Sequence, residues 1–189
     1  SDVVNAFAVP GGYVYVNRGL VERSDNLSEL AGVLAHEIGH VEHRHGAEQM
    51  EQQQQASLGI NLAYILLGRQ PGQAEATAIN AAGSLYFARH SREAENEADA
   101  SAIPLMVASG INPTGLVTFF EELMSLQRSQ PSAIEQWFST HPTTQDRIDA
   151  TRRVLNTVPA TQLRNLDMDA AAFRSFRARL RAMPAAPRN

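Results

Sequence analysis

Two histidines four residues apart, with a glutamate directly after the first, carry the main chemistry that this sequence offers. They are His36, Glu37 and His40. On an α-helix, positions four apart lie on one face about one turn from each other, so both imidazoles can reach one metal ion. Glu37 then lies close enough to activate a metal-bound water but is turned away from ligation. The spacing therefore predicts a metal site that activates water.

The chain contains no cysteine. Disulfides and a cysteine-ligated zinc site are therefore excluded, and zinc must be held by histidines and carboxylates. The HExxH spacing on a helix is the arrangement of zinc peptidases. A catalytic zinc has three protein ligands and one position for water, so a third ligand is needed.

Two sources of that third ligand are common after HExxH. The metzincin pattern needs a glycine and a histidine where this chain has His43 and Gly46, so that pattern is missing. The gluzincin pattern takes a glutamate from a later helix, and the segment 91–99 offers Glu93, Glu95, Glu97 and Asp99.

Several histidines and glutamates remain alternatives to such a ligand set. Glu93 and Glu97 lie roughly 160° to 200° around a helix from Glu95, so they face away from any site that Glu95 serves. His43 shares the face of His36 seven residues on, which leaves a three-histidine site open. His45 and His90 are interpreted as solvated or hydrogen-bonded surface histidines.

The elements around the motif are predicted from periodicity. Apolar residues from Leu27 to Val41 follow helical spacing, with Asn26 as N-cap and Glu29 as its capping-box partner. Residues Asn5 to Val16 predict two strands around a Pro10-Gly11-Gly12 turn, or one strand broken there by a tight bend. The second strand is interpreted either as a core strand or as an exposed edge.

Later segments predict further helices. An Ala-rich helix spans Glu75 to Arg89, Ser91 caps the next, and Pro104 kinks or divides that one. The apolar run Leu58 to Leu67 is too short to span a bilayer and predicts a buried helix, with a membrane-touching or mobile flap as the alternative. Residues 52–83 are expected to cover the cleft as a helical flap.

Composition sets the class. With 189 residues, 43% of them hydrophobic and 19% charged, the chain is expected to form one globular domain over 1–189, ending in an amphipathic docking helix at about 168–183. The prediction is a mainly α (α+β) fold with a small N-terminal β-hairpin. A net charge of −4 gives no electrostatic reason to expect nucleic acid as a partner.

Four blocks of this sequence resemble one family of gluzincin peptidases. They are the Asn5–Leu20 segment, the HExxH at 36–40, the SRxxExxAD at 91–99 about fifty residues later, and the Thr140-His141-Pro142 stretch followed by Arg147-Ile148. The family is that of HtpX, the CAAX prenyl endopeptidases and the Oma-type proteases. Because no transmembrane helices are visible, the chain resembles its soluble bacterial branch, the periplasmic LoiP and BepA type.

The resemblance implies a zincin-like helical domain with one zinc ion per chain, held by His36, His40 and Glu95. It implies that Glu37 is the general base and that Asp99, itself not a ligand, accepts a hydrogen bond that orients a ligand histidine. His141 would stabilise the oxyanion of the intermediate. In some relatives a histidine at this place binds the zinc and blocks it, so the alternative role of an inhibitory fourth ligand stays open.

The resemblance also implies a function, a metalloendopeptidase that hydrolyses misfolded or unassembled envelope proteins in a bacterial periplasm. Substrate would pair with an exposed edge strand at Tyr13, Val14 and Tyr15. A lipid anchor on a segment not included here and a helical-repeat partner or membrane-proximal complex are further expectations. A latent zinc-bound binding or chaperone-like module is the alternative, and a purely structural zinc domain is disfavoured because Glu37 would have no role in it.

Overall fold

A two-stranded hairpin opens the fold. The computed structural model describes residues 1–9 and 11–184, except for the side chains of 85–90. Strands β1 (Ala6–Val9) and β2 (Tyr13–Val16) pair antiparallel, in register from Ala6 opposite Val16 to Val9 opposite Tyr13. Gly11 and Gly12 adopt φ of +104° and +87°, which favours glycine and makes the tight connection possible. The predicted strand–turn–strand is confirmed, although Pro10 lies outside the described residues.

Helices make up most of the remaining described chain. In chain order they are α1 (Arg18–Arg23), α2 (Leu27–Glu42), α3 (His45–Leu66), α4 (Gln73–Ala108), α5 (Thr114–Ser129), α6 (Glu135–Thr140), α7 (Gln145–Leu155), α8 (Ala160–Leu163) and α9 (Ala171–Ala182). A short 3-10 turn at Pro131–Ala133 precedes α6. The predicted mainly helical fold with a small N-terminal hairpin is confirmed.

Helix α2 begins at the predicted N-cap. The Asn26 side chain accepts a hydrogen bond from the backbone N–H of Glu29 at 3.0 Å. The Glu29 carboxylate accepts from the backbone N–H of Asp25 at 2.7 Å rather than from that of Asn26, so the predicted capping box is shifted by one residue. Because the Asn26 bond satisfies a donor that the helix leaves free at its start, the N-terminus of α2 is fixed just before its apolar face.

Small residues let α2 approach its neighbours closely. A Cβ on Gly39 would lie 3.0 Å from backbone atoms of Ala98 on α4, and one on Gly32 would lie 2.8 Å from the Cα of Leu116 on α5. Ala98 is fully buried, as this close contact between α2 and α4 requires. Around these contacts lies one hydrophobic core, whose largest fully buried side chains are Trp137, Phe119, Phe120, Leu20, Ile103, Met106, Leu116, Leu123, Ile134 and Ile148.

Helix α4 is longer than the sequence predicts. It runs without a break through Ser91, where a new helix was expected, and Pro104, expected to kink or divide the helix, does not divide it. Proline removes one hydrogen bond from a helix interior. Burial of Ala102, Ile103 and Met106 around it holds this part of α4 in place.

The apolar run Leu58–Leu67 is helical but not buried, so the expected buried helix is wrong in that respect. Helix α3 has no buried residue, and Leu58, Leu62, Ile65 and Leu66 are 56 to 79% exposed. An apolar run identifies a helix without identifying a partner that covers it. None of the helices in the described part of the chain combines the length and apolarity that crossing a bilayer requires.

The last helix packs against the first. Phe173 of α9 is buried, whereas Phe176 on the same predicted face is 43% exposed. Arg177 donates to the carbonyl of Ser24, and Arg181 donates to that of Glu22 at 2.7 Å. The assignment of 1–189 to a single domain stays a prediction.

Candidate metal centre and active site

Two helices bring the predicted ligands together. His36 and His40 project from one face of α2 with their Nε2 atoms 3.0 Å apart. Glu95 of α4 faces both, with one oxygen 3.4 Å from His36 Nε2 and the other 3.2 Å from His40 Nε2. His36 and Glu95 are buried, and His40 is half-buried. The three residues therefore point their ligand atoms at one small volume.

His141 completes this cluster from the loop after α6. Its Nδ1 lies 3.3 Å from His36 Nε2 and 3.2 Å from a Glu95 oxygen. Ligand atoms of the four side chains all lie within 4.8 Å of one another. Ligands about 2.0–2.1 Å from a tetrahedral zinc are roughly 3.3–3.4 Å apart, so this donor set fits zinc in chemistry and in spacing.

The indole of Trp137 packs against the imidazole of His141. The two rings lie 4.8 Å apart at 34°, and the backbone N–H of His141 donates to the Trp137 carbonyl at 2.7 Å. Trp137 is itself fully buried and donates from Nε1 to Thr143 Oγ1 at 3.3 Å. The histidine is thus held at the site by a core side chain.

Glu37 lies beside the cluster without joining it. Its carboxylate is 1% exposed, and its Oε1 has no hydrogen-bond partner among the described residues, although His141 Nε2 is 3.3 Å away. Burial raises the pKa of Glu37, and the charges of His141 and His36 only partly oppose this. A buried carboxylate with a raised pKa and a free oxygen can accept and return a proton.

Asp99 holds the other ring nitrogen of His36. Asp99 Oδ1 lies 2.8 Å from His36 Nδ1, as its predicted role in orienting a ligand histidine requires. Arg147 of α7 donates to both Asp99 oxygens, from Nε at 2.6 Å and from Nη2 at 2.8 Å, and its Nη1 lies 2.5 Å from Glu95. The Arg147 guanidinium also stacks 4.6 Å over the ring of Phe120. One buried arginine therefore ties together two acids of α4.

No role was predicted for Arg147. The one sequence feature that could have identified it is its place in the Arg147-Ile148 pair of the fourth family block. No other feature of the sequence indicates that its side chain is buried. It is 4% exposed.

The remaining histidines lie outside the four-residue cluster. His43, the alternative ligand, approaches Ser101 Oγ at 2.6 Å and a Glu97 oxygen at 3.3 Å. His45 lies 2.9 Å from His40, Nδ1 to Nδ1, and 3.2 Å from the other Glu97 oxygen. His45 is thus hydrogen-bonded, as expected, but to a site residue. The side chain of His90 lies outside those that the structure describes.

Protonation differs between the two α2 ligands. Burial lowers the pKa of His36, but hydrogen bonds to Asp99 and Glu95 outweigh it and raise that pKa to about 9. Burial dominates at His40 and lowers its pKa to about 4. Burial would raise the pKa of Glu95, yet its hydrogen bonds to His141, His36 and His40 hold that pKa far below its usual range. The metal-free site therefore holds a proton on His36 beside an ionised Glu95.

The cluster opens into a cleft of about 550 Å³. Phe7 and Ala8 of β1 form one part of its wall, and the first two turns of α3 form another. Tyr13, Val14 and Tyr15 of β2 are not among the lining residues, and both tyrosines are more than half exposed. The predicted substrate edge at β2 thus lies one strand away from the cleft wall, and its role stays a prediction.

A mainly helical fold with HExxH on one helix and a converging glutamate on a later helix is the arrangement of a gluzincin metallopeptidase. The family model of peptidase family M48 matches residues 1–155, so the chain belongs to this family.

Several curated proteins are similar to this chain in sequence. The chain is 37% identical over 167 residues to the Beta-barrel assembly-enhancing protease of Escherichia coli K12, covering 82% of this chain and 33% of that protein. It is 32% identical over 149 residues to Metalloprotease LoiP of the same strain (76% and 56% covered). It is 32% identical over 165 residues to Mitochondrial metalloendopeptidase OMA1 of Schizosaccharomyces pombe (87% and 47% covered). The chain thus spans a third to about half the length of these relatives.

Proposed function

We propose that this chain is a zinc-dependent endopeptidase unit that hydrolyses peptide bonds. The observation that carries the proposal is the convergence of His36, His40 and Glu95 beside the buried Glu37 carboxylate, whose Oε1 accepts no hydrogen bond within the described structure. A structural zinc site would need no such carboxylate next to its ligands. Membership of a peptidase family agrees with this function.

In the proposed reaction, His36, His40 and Glu95 hold one zinc ion, and Asp99 fixes the ring of His36. Bound zinc supplies Lewis-acid polarisation and a lowered pKa for water. Glu37 takes the proton from the attacking water and returns it to the leaving amine.

His141 has two proposed roles that the geometry supports in different ways. Its Nδ1 occupies the fourth corner of the ligand cluster, which supports an inhibitory fourth ligand. Its Nε2 faces Glu37 at 3.3 Å, at the edge of the cleft, from where a rotated ring can donate to a developing oxyanion. Replacing His141 separates the roles, because activity rises if the residue blocks the site and falls if it stabilises the oxyanion.

The substrate is proposed to be an extended segment of an unfolded or unassembled protein. The cleft is open along α3, and a two-stranded hairpin offers backbone edges to an added strand. Tyr13, Val14 and Tyr15 remain the predicted pairing residues, and Phe7 and Ala8 are the hairpin residues that reach the cleft. Residues 52–83 are proposed to act as a helical flap over it.

The name of one relative suggests the wider setting of this activity. This relative is named for enhancing beta-barrel assembly, which supports envelope proteins as substrates and a bacterial periplasm as the compartment. A lipid anchor and a helical-repeat partner or membrane-proximal complex stay proposals of the same kind.

Cleavage of casein by the zinc-loaded chain tests this function. We expect the parent to cleave and Glu37→Gln to lose at least about a hundredfold in kcat, since general base catalysis contributes roughly that much. Glu42→Gln, at a more accessible position on the same helix, is the matched control and should cleave like the parent.

The outcomes divide the hypotheses clearly. Turnover by zinc-loaded Glu37→Gln at the level of Glu42→Gln would refute the role of Glu37. Zinc bound with no cleavage by parent or His141→Ala would favour the alternative, a latent binding or chaperone-like module. The observation that supports this alternative is that His141 lies where a fourth ligand would bind the metal.

A further inference from the structure

The turn between α2 and α3 brings a histidine back onto a proposed metal ligand. Arg44 adopts a left-handed conformation (φ +60°) between the two helices, which reverses the chain within two residues. His45, the first residue of α3, therefore lies against His40, with the two Nδ1 atoms 2.9 Å apart. The His45 side chain is only 12% exposed, so this contact is shielded from water.

The protons in this contact have one consistent arrangement. His40 directs Nε2 at Glu95 and His36, so a metal-binding, neutral His40 carries its proton on Nδ1. His45 Nδ1 must then accept that proton's hydrogen bond. The proton of His45 lies on Nε2 and is donated to Glu97 at 3.2 Å. Two hydrogen bonds in series thus connect His40 to a carboxylate.

The other proposed ligand histidine, His36, is connected to a carboxylate by one hydrogen bond instead of two. His36 meets the carboxylate of Asp99 directly, at 2.8 Å. Glu97 lies between Glu95 and Asp99 along α4 but on the opposite side, which is why it cannot serve as a ligand. It can still reach the start of α3. Helix α4 therefore supplies the ligand Glu95 and an outer partner for each ligand histidine.

We infer that His45 is a positioning residue that fixes the tautomer and ring orientation of His40 for zinc, with Glu97 anchoring His45. The inference rests on the proposed zinc site and adds a residue to it. Metal-bound histidines commonly donate their second ring N–H to a hydrogen-bond acceptor that does not itself bind the metal. Loss of that acceptor weakens metal binding by about 10- to 100-fold. Because Glu97 is 56% exposed, the lower end of this range applies here.

Two replacements of His45 separate hydrogen bonding from packing. His45→Asn would place an amide oxygen near the position of the histidine Nδ1, where it can accept the same bond, whereas His45→Leu fills similar space with no acceptor. His43→Leu is the comparison for packing, since the His43 ring stacks on that of His45 at 5.4 Å and shares Glu97 with it, but His43 contacts Ser101 instead of His40. Glu97→Gln tests the anchor without changing either histidine.

The measurement is the zinc dissociation constant of the full chain, by competition with a chromophoric chelator at fixed pH. We expect His45→Leu to weaken zinc binding by about tenfold, His45→Asn to recover most of that loss, and His43→Leu, which keeps the His45–His40 contact, to weaken binding less than His45→Leu does. Glu97→Gln should weaken binding by less than His45→Leu. In zinc-loaded parent, ¹⁵N shifts of the imidazoles should show the proton of His40 on Nδ1 and that of His45 on Nε2.

Failure of the proposed metal site and failure of the role of His45 give different results. A parent that binds no zinc, or binds it equally well after Glu95→Gln, refutes the proposed metal site. A parent that binds zinc while His45→Leu binds it equally well overturns the role of His45. Equal weakening by His45→Leu and His45→Asn also overturns it, because packing alone would then explain the loss. If His45→Leu does not fold, Glu97→Gln and the tautomers of the parent decide: unchanged zinc binding by Glu97→Gln together with the opposite tautomer of His40 refutes the inference.

Discussion

At the residue scale, the site depends on side chains that the HExxH motif does not contain. The motif predicts His36, Glu37 and His40 because their spacing is local to one helix. Arg147 contacts Asp99, Glu95 and the edge of His36, yet it is about fifty residues from the first two and more than a hundred from the third. Contacts at such separations depend on the folded chain, so sequence spacing cannot reveal them.

Replacing Arg147 should destabilise the whole fold. Arg147→Met leaves two buried acids without their cation, which we expect to lower the free energy of unfolding by about 3–5 kcal/mol. Arg147→Lys keeps the charge but loses the paired donors to Asp99, so a smaller loss is expected. Urea unfolding of the metal-free protein measures both.

Arg152→Met on the same helix is the control for that experiment. Arg152 is 44% exposed and pairs only with Asp149 and Glu121 in the described structure, so its loss should change stability by about 1 kcal/mol or less. Equal stability of the Arg147→Met and Arg152→Met proteins would show that Arg147 does not hold the site together.

At the element scale, the predictions succeed where an element is specified by its own sequence. The α2 N-cap, the hairpin turn and the helical periodicity of α2 are local, and all are present. The continuity of α4 through Ser91 and the exposure of Leu58, Leu62 and Ile65 depend on which other elements cover them. Periodicity gives the type of an element but not its neighbours, which is why these two expectations failed.

The approach of α2 to α4 can be tested at Gly39. A methyl group there would meet the Ala98 backbone at 3.0 Å, and backbone cannot move aside as a flexible side chain can. We expect Gly39→Ala to lower the free energy of unfolding by about 1–3 kcal/mol. Since Glu95 lies on α4, one turn from Ala98, zinc binding should weaken as well.

The matched substitution is Gly59→Ala on α3. A Cβ there meets nothing within 4 Å, so alanine should stabilise the helix by up to about 1 kcal/mol. Calorimetry or urea unfolding of both variants gives the comparison. A Gly39→Ala protein as stable as Gly59→Ala, with zinc affinity unchanged, would mean that the two helices tolerate a larger separation.

At the scale of the whole molecule, the proposed metal centre joins parts that are distant in the chain. The candidate ligand atoms come from α2, α4 and the loop after α6, and Arg147 of α7 holds Asp99 and Glu95 of α4. Zinc that binds only the folded chain stabilises it by about 4 kcal/mol at a thousandfold excess over its dissociation constant. The same linkage makes protons compete with zinc, because a histidine ligand must be deprotonated.

The metal-free protein should therefore lose stability as the pH rises. The pKa of His36 is raised from 6.5 to about 9 in the fold. A raised folded pKa contributes stability that is complete below about pH 6.5 and is lost as the pH rises through 9, by roughly 3 kcal/mol. Urea unfolding of the metal-free chain between pH 6 and 9.5 measures this decline, and His36→Gln should abolish it.

Zinc uptake at pH 7.5 should release about one proton, read from titrations in buffers of different ionisation enthalpy. A flat stability profile together with no proton release would place the proton elsewhere than on His36.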